Sequence, residues 1–391
     1  MRVLDTLTGR HLPLPLSDGP GGKELKLYVC GVTPYDSGHL GHAFTFCVFD
    51  VLVRWVESKG IPVRYVQNVT DVDDPLFARA RRDGSSWQDL AKREEAAFVQ
   101  DMTVLGWRAP DVMPRVSDEI QGIRAAAEGL SERGFAYSAA DGSLYFEAAR
   151  YPGFGQLSRR SRRSMLRKLR EEELLGRVGP GAKRDWLDFP LWRPSGAGEP
   201  SWPSRFGPGR PGWHIECSAM SMRYLGEQVD IHGGGRDLIF SHHESERAQS
   251  ESLTGCVPFA RAWLHTGMVR HDGRKMSKSL GNLVVVKDTL RVASPAAVRL
   301  YLLSHRYRRD WEFRWPALAR FERLVQRIRG MRGSGRSGSS LAEFRAALDA
   351  DLDAPRAIRA LRRAVASGDR RGVEDMLGIL AGTAALKPAA G

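Results

Sequence analysis

Leu25-Lys26-Leu27-Tyr28-Val29-Cys30 is an apolar, strand-like run that passes through a connection containing Gly31 into His39-Leu40-Gly41-His42 and a helical pattern lasting to about Gly60. A second apolar run, Val63 to Gln67, follows at once. Strand, helix and strand in this order make a right-handed crossover between parallel neighbours, so the stretch predicts an α/β protein built on a parallel sheet. Its first turn lies at the carboxyl end of a strand, where such sheets bind ligands, and it places two imidazoles, His39 and His42, at a helix start whose N–H groups favour anions.

Far downstream, another strand-like run, Phe259 to Val269, leads to Lys275-Met276-Ser277-Lys278-Ser279. Two ammonium groups, Lys275 and Lys278, then sit on a segment of small and hydroxyl residues able to close over a triphosphate. A lone His-x-Gly-His is common by chance, and a basic loop is usually only solvated. The two together, each after a strand-like run, point to phosphate handling. Attack of a carboxylate on the α-phosphorus of ATP needs no protein nucleophile; it needs positioning and charge stabilisation as pyrophosphate departs. His39, His42, Lys275 and Lys278 are therefore the expected catalytic residues, with ATP as substrate accompanied by Mg²⁺.

A third constellation is Cys30, Cys217, His242 and Glu246. Cys217 closes Gly212-Trp213-His214-Ile215-Glu216-Cys217, and His242 and Glu246 are spaced to share one helix face. Two thiolates, an imidazole and a carboxylate suit a tetrahedral zinc ion, one per chain. Dispersed cysteines are more often buried small hydrophobes, a reading that fits Cys47 and Cys256. Because Cys30 and Cys217 both adjoin the other motifs, they are expected to bind metal. A soft ion beside an ATP site also suggests a thiol substrate, since a hydroxyl competes poorly for it, and so suggests that the activated amino acid is cysteine.

Cys30-Gly31-Val32-Thr33-Pro34-Tyr35-Asp36, the histidine tetrad, Asn68-Val69-Thr70-Asp71-Val72-Asp73-Asp74, the Gly212 to Cys217 segment, Gly233-Gly234-Gly235-Arg236-Asp237, His242-His243-Glu244 and the lysine-rich loop together resemble the cysteinyl-tRNA synthetase family over about residues 25 to 315. The resemblance implies a class I aminoacyl-tRNA synthetase-type, Rossmann-like parallel sheet with an insertion and a C-terminal helical domain. It implies zinc on Cys30, Cys217 and His242, with Glu246 as fourth ligand. Thr33, Thr70 and Trp213 would contact the cysteine moiety, Gly235, Asp237 and Val269 would frame the adenosine, and Gly31, Thr45, Asn68, Gly233 and Gly234 would complete the substrate-binding set.

Two branches of that family compete. One charges tRNA; the other joins cysteine to the amino sugar of glucosaminyl-inositol in mycothiol biosynthesis. Thr33-Pro34-Tyr35-Asp36, His42 and Asp74-Pro75-Leu76-Phe77 resemble the mycothiol branch, whereas Ile231-His232-Gly233, Glu246 and Lys183-Arg184-Asp185 through Leu187-Asp188-Phe189 resemble the tRNA branch. The Glu-Arg-Gly-Gly-Asp-Pro motif of the mycothiol ligases is not recognisable.

The 391 residues divide into a nucleotide-binding catalytic half (1–109), an insertion (110–208), a second catalytic half with the lysine loop (209–285), a helical connection (286–332), a linker (333–340) and a short C-terminal helical segment (341–391). Helices are expected at Trp87 to Leu105, Asp118 to Arg133 and Pro316 to Arg332, and a hairpin at Ala136 to Phe146. The tail leaves no room for an anticodon-reading module, which favours a small acceptor. The formal charge of +13, with seven basic residues between Ser158 and Arg170, favours a polyanion, although both signs interleave beyond Arg162 and no aromatic-basic alternation marks a nucleic-acid groove. The balance gives L-cysteine, ATP and an amino-sugar acceptor as partners, with tRNA or another small amine as the alternative acceptor. A monomer is expected. Neither a membrane-spanning run nor a signal peptide is recognisable, so a cytoplasmic protein with reduced cysteines is expected.

Overall fold

In the computed structural model, which describes residues 1–35, 38–171, 182–276, 281–332 and 339–382, the chain begins with an antiparallel pair, β1 (Arg2–Leu4) and β2 (His11–Pro13). A short β3 (Ser17–Gly19) then doubles back onto the long strand β4 (Gly22–Val32). The helix α1 (Leu40–Glu57) and the strand β5 (Val63–Val69) follow, and β5 pairs parallel with β4, Leu25 opposite Val63 and Val29 opposite Gln67. This is the expected crossover. Three helices come next: α2 (Asp74–Asp83), which the sequence reading did not anticipate, then α3 (Trp87–Val104) and α4 (Val116–Glu132).

A small antiparallel sheet is built from the expected hairpin β6 (Ala136–Ser138) and β7 (Leu144–Phe146), with α5 (Arg162–Glu171) preceding β8 (Phe189–Arg193) and β9 (Arg210–Pro211). The chain then returns to the parallel sheet through α6 (Trp213–Leu225), β10 (Val229–Gly235), α7 (Glu244–Thr254) and β11 (Ala260–Thr266). The parallel strands lie in the order β11, β10, β4, β5. The run from Phe259 to Val269 is not one strand. Gly267 donates its N–H to the Tyr307 carbonyl at 2.6 Å and breaks the run, so that Val269 starts β12 (Val269–His271), which pairs with β13 (Arg274–Lys275).

Alternation along β4 explains the two layers around it. Leu25, Leu27 and Val29 join the core that contains α1, whereas Tyr28 and Cys30 join the core that contains Ile215, Cys217 and Met220 of α6. A parallel strand buried on both faces reads as a near-continuous apolar run, and from Leu25 to Cys30 only the half-buried Lys26 interrupts it.

The C-terminal region contains α8 (Val286–Leu290), α9 (Pro295–Leu303), β14 (Trp311–Glu312), α10 (Trp315–Arg329), α11 (Ser339–Asp349), α12 (Ala354–Ala366) and α13 (Arg370–Leu380). Ser339 and Ser340, assigned to the linker from composition, open α11 instead; the rest of that linker lies outside the described residues. The last three helices share the core of α1 through Phe344, Leu348, Leu361 and Met376. Among the described residues no helix is long and apolar enough to cross a membrane.

Candidate active site and metal cluster

His39 is the N-cap of α1, where its Nδ1 accepts from the N–H groups of Gly41 at 3.0 Å and His42 at 3.3 Å. The two imidazoles stack with centroids 3.8 Å apart, so both stand at the helix start, the end whose partial positive charge attracts phosphate. Lys275 ends β13, where its backbone pairs with Arg270. Lys278 lies outside the described residues.

Several of the other expected site residues shape the backbone beside this helix. Gly31 donates its N–H to Asn68 Oδ1 at 2.9 Å, and Asn68 Nδ2 donates to Thr70 Oγ1 at 3.0 Å. A side chain on Gly31 would meet the Asn68 carbonyl oxygen at 1.6 Å, so only glycine allows β4 and β5 to approach there. Thr33 donates to Asp73 Oδ2 at 3.4 Å, and Thr45 and Thr266 share a buried hydroxyl contact of 2.7 Å that ties α1 to β11. Gly233 lies directly over the ring of Phe49, and Gly234 borders His243. Asp237 is exposed just beyond Gly235, while Val269 is buried and pairs with Trp311.

Cys30, Cys217, His242 and Glu246 converge: their donor atoms all lie within 4.8 Å of one another and all four residues are buried. Three elements supply them. Cys30 comes from the end of β4, Cys217 from the first turns of α6, and His242 with Glu246 from the turn into α7. His242 Nε2 sits 3.1 Å from Glu246 Oε1, and Cys30 donates to the same oxygen at 3.4 Å. His232 and His243, to which the sequence reading assigned no role, form an overlapping donor set with Cys30 and Glu246. His243 Nε2 is 3.3 Å from Cys30 Sγ, and His232 Nε2 is 3.2 Å from Glu246 Oε2. Further out, His214 Nδ1 meets His242 Nδ1 at 3.0 Å, His265 Nε2 meets His243 Nδ1 at 2.7 Å, and the indole of Trp213 stacks on His242 at 4.2 Å. No local sequence pattern marks His232; its place follows from β10, which pairs it with Tyr28 on the same face of the sheet as Cys30.

The electrostatics fit a cation. Burial pushes the Cys30 thiol well above its ordinary value, and Cys217 and Glu246 beside it push it further. Burial also opposes ionisation of Glu246, yet His232, with a hydrogen bond from Cys30, holds its carboxyl below the usual range. Burial keeps His242 neutral, its pKa lowered to about 3, so its nitrogens are available as donors. Two sulfurs, neutral imidazoles and a carboxylate shielded from water are the donor set a divalent ion stabilises, because it favours the charged forms that burial disfavours. Nearer the cavity, burial and the neighbouring Asp74 raise Asp73 to about 6, while burial followed by Asp73 raises Glu216 well above its usual value.

Beside the cluster lies a cavity of about 810 Å³ whose lining includes Trp213, His214, Asp141, Tyr145, Lys183 and Trp186. It is of the size that holds small-molecule ligands.

The profile described as "tRNA synthetases class I (C) catalytic domain" matches residues 19–323. The chain belongs to this family and is an ATP-dependent amino-acid ligase. It is 48% identical over 368 residues to the L-cysteine:1D-myo-inositol 2-amino-2-deoxy-alpha-D-glucopyranoside ligase of Parafrankia sp. (strain EAN1pec), an alignment covering 92% of this chain and 80% of that one. It is 42% identical to the cysteine–tRNA ligase of Stutzerimonas stutzeri (strain A1501), covering 95% and 80%. In fold it is similar to Mycobacterium tuberculosis methionyl-tRNA synthetase bound by methionyl-adenylate, with a TM-score of 0.66, 14% identity and 93% of each chain covered.

Proposed function

We propose that this chain activates L-cysteine with ATP and Mg²⁺ as cysteinyl-adenylate and transfers the cysteinyl group to the amine of glucosaminyl-inositol in mycothiol biosynthesis, acting as a cytoplasmic monomer. The observation that carries the activation step is the buried cluster of Cys30, Cys217, His242 and Glu246 at the end of β4, the strand that leads to His39 and His42. Zinc held by these four would bind the substrate thiol as a thiolate and discriminate against a hydroxyl. Thr33, Thr70 and Trp213 hold the rest of the amino acid, while Gly31, Asn68, Thr45 and the glycines 233–235, with Asp237 and Val269, shape the floor and the adenosine side. The cysteine carboxylate attacks the α-phosphorus, and the bond to the bridging oxygen breaks with its electron pair leaving on pyrophosphate. His39, His42, Lys275 and Lys278 stabilise the charge that gathers there.

The mycothiol acceptor is supported by the Parafrankia relative and by the cavity that Trp213 lines. The second reading, cysteinylation of tRNA, is favoured by the Stutzerimonas relative and by the net charge of +13. Radiolabelled cysteine offered with each acceptor separates them. Conversion of glucosaminyl-inositol to its cysteinyl amide, little affected by salt, is expected. Efficient charging of tRNA that falls steeply as salt screens phosphate contacts would replace the proposal with the second reading.

A further inference from the structure

The cavity beside the metal cluster has an outer wall with its own chemistry. Asp141, Lys183 and Trp186 line it there, on the turn between β6 and β7 and on the segment that enters β8. Trp186 lines the cavity and leaves 48% of its surface exposed. An indole lying along a cavity offers a flat apolar face for the C–H face of a ring while the ring's hydroxyls stay polar.

The polar groups around that indole are held in place. Asp141 accepts from the Ser143 N–H and from the Tyr145 hydroxyl, each at 2.9 Å, which fixes its carboxylate and leaves further lone pairs for a hydroxyl or ammonium donor. The Lys183 ammonium lies over the Tyr145 ring, 5.6 Å from its centre, and burial lowers its pKa against the pull of Asp188, Asp141 and Asp185. The arginines of the lining are all paired: Arg193 and Arg210 bind Asp74, and Arg210 and Arg81 bind Glu199. A wall in which every arginine faces a carboxylate offers little to a phosphate and suits a neutral, hydroxyl-rich ring.

We infer that Trp186, Asp141 and Lys183 form a subsite for the distal ring of a hydroxyl-rich acceptor, the ring stacking on Trp186 and its hydroxyls bonding to Asp141 and Lys183, so that the acceptor's amine reaches inward toward Trp213. This rests on the reading of the chain as a ligase that transfers cysteine to an amino sugar. The subsite then sets which amine is used, while the zinc cluster and the helix start set what is activated. In the transfer, the acceptor's free amine forms the C–N bond. The bond from the carbonyl carbon to the phosphate oxygen breaks, the electron pair leaves on AMP, and the N–H proton passes to the departing phosphate.

The test compares Trp186→Ala, Trp186→Phe and Asp141→Asn with the unaltered enzyme in two assays. Cysteine-dependent exchange of pyrophosphate into ATP reads activation alone, and transfer to glucosaminyl-inositol reads the acceptor. The expected result is exchange within about twofold in every variant, with the KM for glucosaminyl-inositol raised about tenfold or more in Trp186→Ala and Asp141→Asn and largely restored in Trp186→Phe, about 1.4 kcal/mol for each tenfold. An unchanged KM in Trp186→Ala and Asp141→Asn overturns the subsite, and so does an equal loss of exchange and transfer. If the unaltered enzyme exchanges pyrophosphate yet never acylates glucosaminyl-inositol, the mycothiol reading falls. The subsite is then judged by calorimetric binding of myo-inositol and D-glucosamine: binding that Trp186→Ala weakens supports it, and equal or absent binding overturns it.

Discussion

Cys30 reaches the buried cluster of candidate metal ligands because strand alternation turns it, with Tyr28, toward α6 while Leu27 and Val29 turn toward α1. The four expected ligands were legible because each belongs to a local motif. His232 and His243 were not, since their place beside Cys30 follows from the pairing of β10 with β4, which no local pattern encodes. Metal analysis should find about one zinc per chain. Cys217→Ala should lower this below about a tenth of an equivalent, and Glu246→Ala should weaken binding less, because a thiolate is the softer and firmer zinc ligand of the two. Full activity after chelation, with no metal found, would refute the zinc assignment. Lys278→Ala should slow cysteine-dependent pyrophosphate exchange by roughly a hundredfold, and serine should support almost none; normal exchange in the variant would show the lysine loop misassigned. Asp73 gives a pH-dependent prediction. Burial and Asp74 raise it to about 6, against the pull of Arg193 and Arg210, and Glu216 faces it from α6. A carboxyl whose folded-state pKa is raised contributes stability that is present below its unfolded value and is lost as pH rises through about 6. Asp73→Asn should therefore match the unaltered protein in Tm near pH 4 and exceed it above pH 6.5; an equal Tm at both ends would show that Asp73 carries no such penalty.

At the scale of elements, the β4–α1–β5 unit was readable because its strands centre on dense apolar runs and its helix begins at the histidine motif, where His39 is the cap. The helix α2 was missed because it is short and polar, with Asp73 as its cap and Pro75 in its first turn read only as part of a motif. The split between β11 and β12 was not legible because the chain remains buried or half-buried across it, and it falls at Gly267, whose Cβ would sit 2.2 Å from the Arg309 carbonyl oxygen. A similar steric limit joins α1 to β10. A Cβ on Gly233 would approach the Phe49 ring to 2.2 Å, and Phe49 is itself buried. Gly233→Ala should destabilise the protein by about 1 to 3 kcal/mol, the usual cost of overpacking, measured as a lower urea midpoint; a midpoint within experimental error would mean that α1 shifts freely.

Over the whole molecule, the C-terminal helices belong to the catalytic core. Arg299 of α9, fully buried, forms an ion pair with Asp50 of α1 and donates from Nε to the Leu380 carbonyl of α13. Arg299→Ala would leave Asp50 with Arg54 as its charged partner and the Leu380 carbonyl without this donor. The expected loss is about 3 kcal/mol or more, seen as a lower Tm, and Arg299→Met should lose less by refilling the space. An unchanged Tm in the alanine variant would show that these helices hold without the link. The convergence of the cluster has a consequence in time as well as in space. Cys30 and Glu246 stand 216 positions apart, and nearly all of that chain must be made and folded before they can meet. Contacts that close such long loops form late, because the entropy of closure must be overcome before they return anything. During synthesis the early thiol therefore waits, exposed to oxidation or to stray metals, until α7 emerges. Uptake of zinc would then report the completion of folding, and a nascent chain stalled before residue 246 should retain a reactive Cys30 that the finished enzyme conceals.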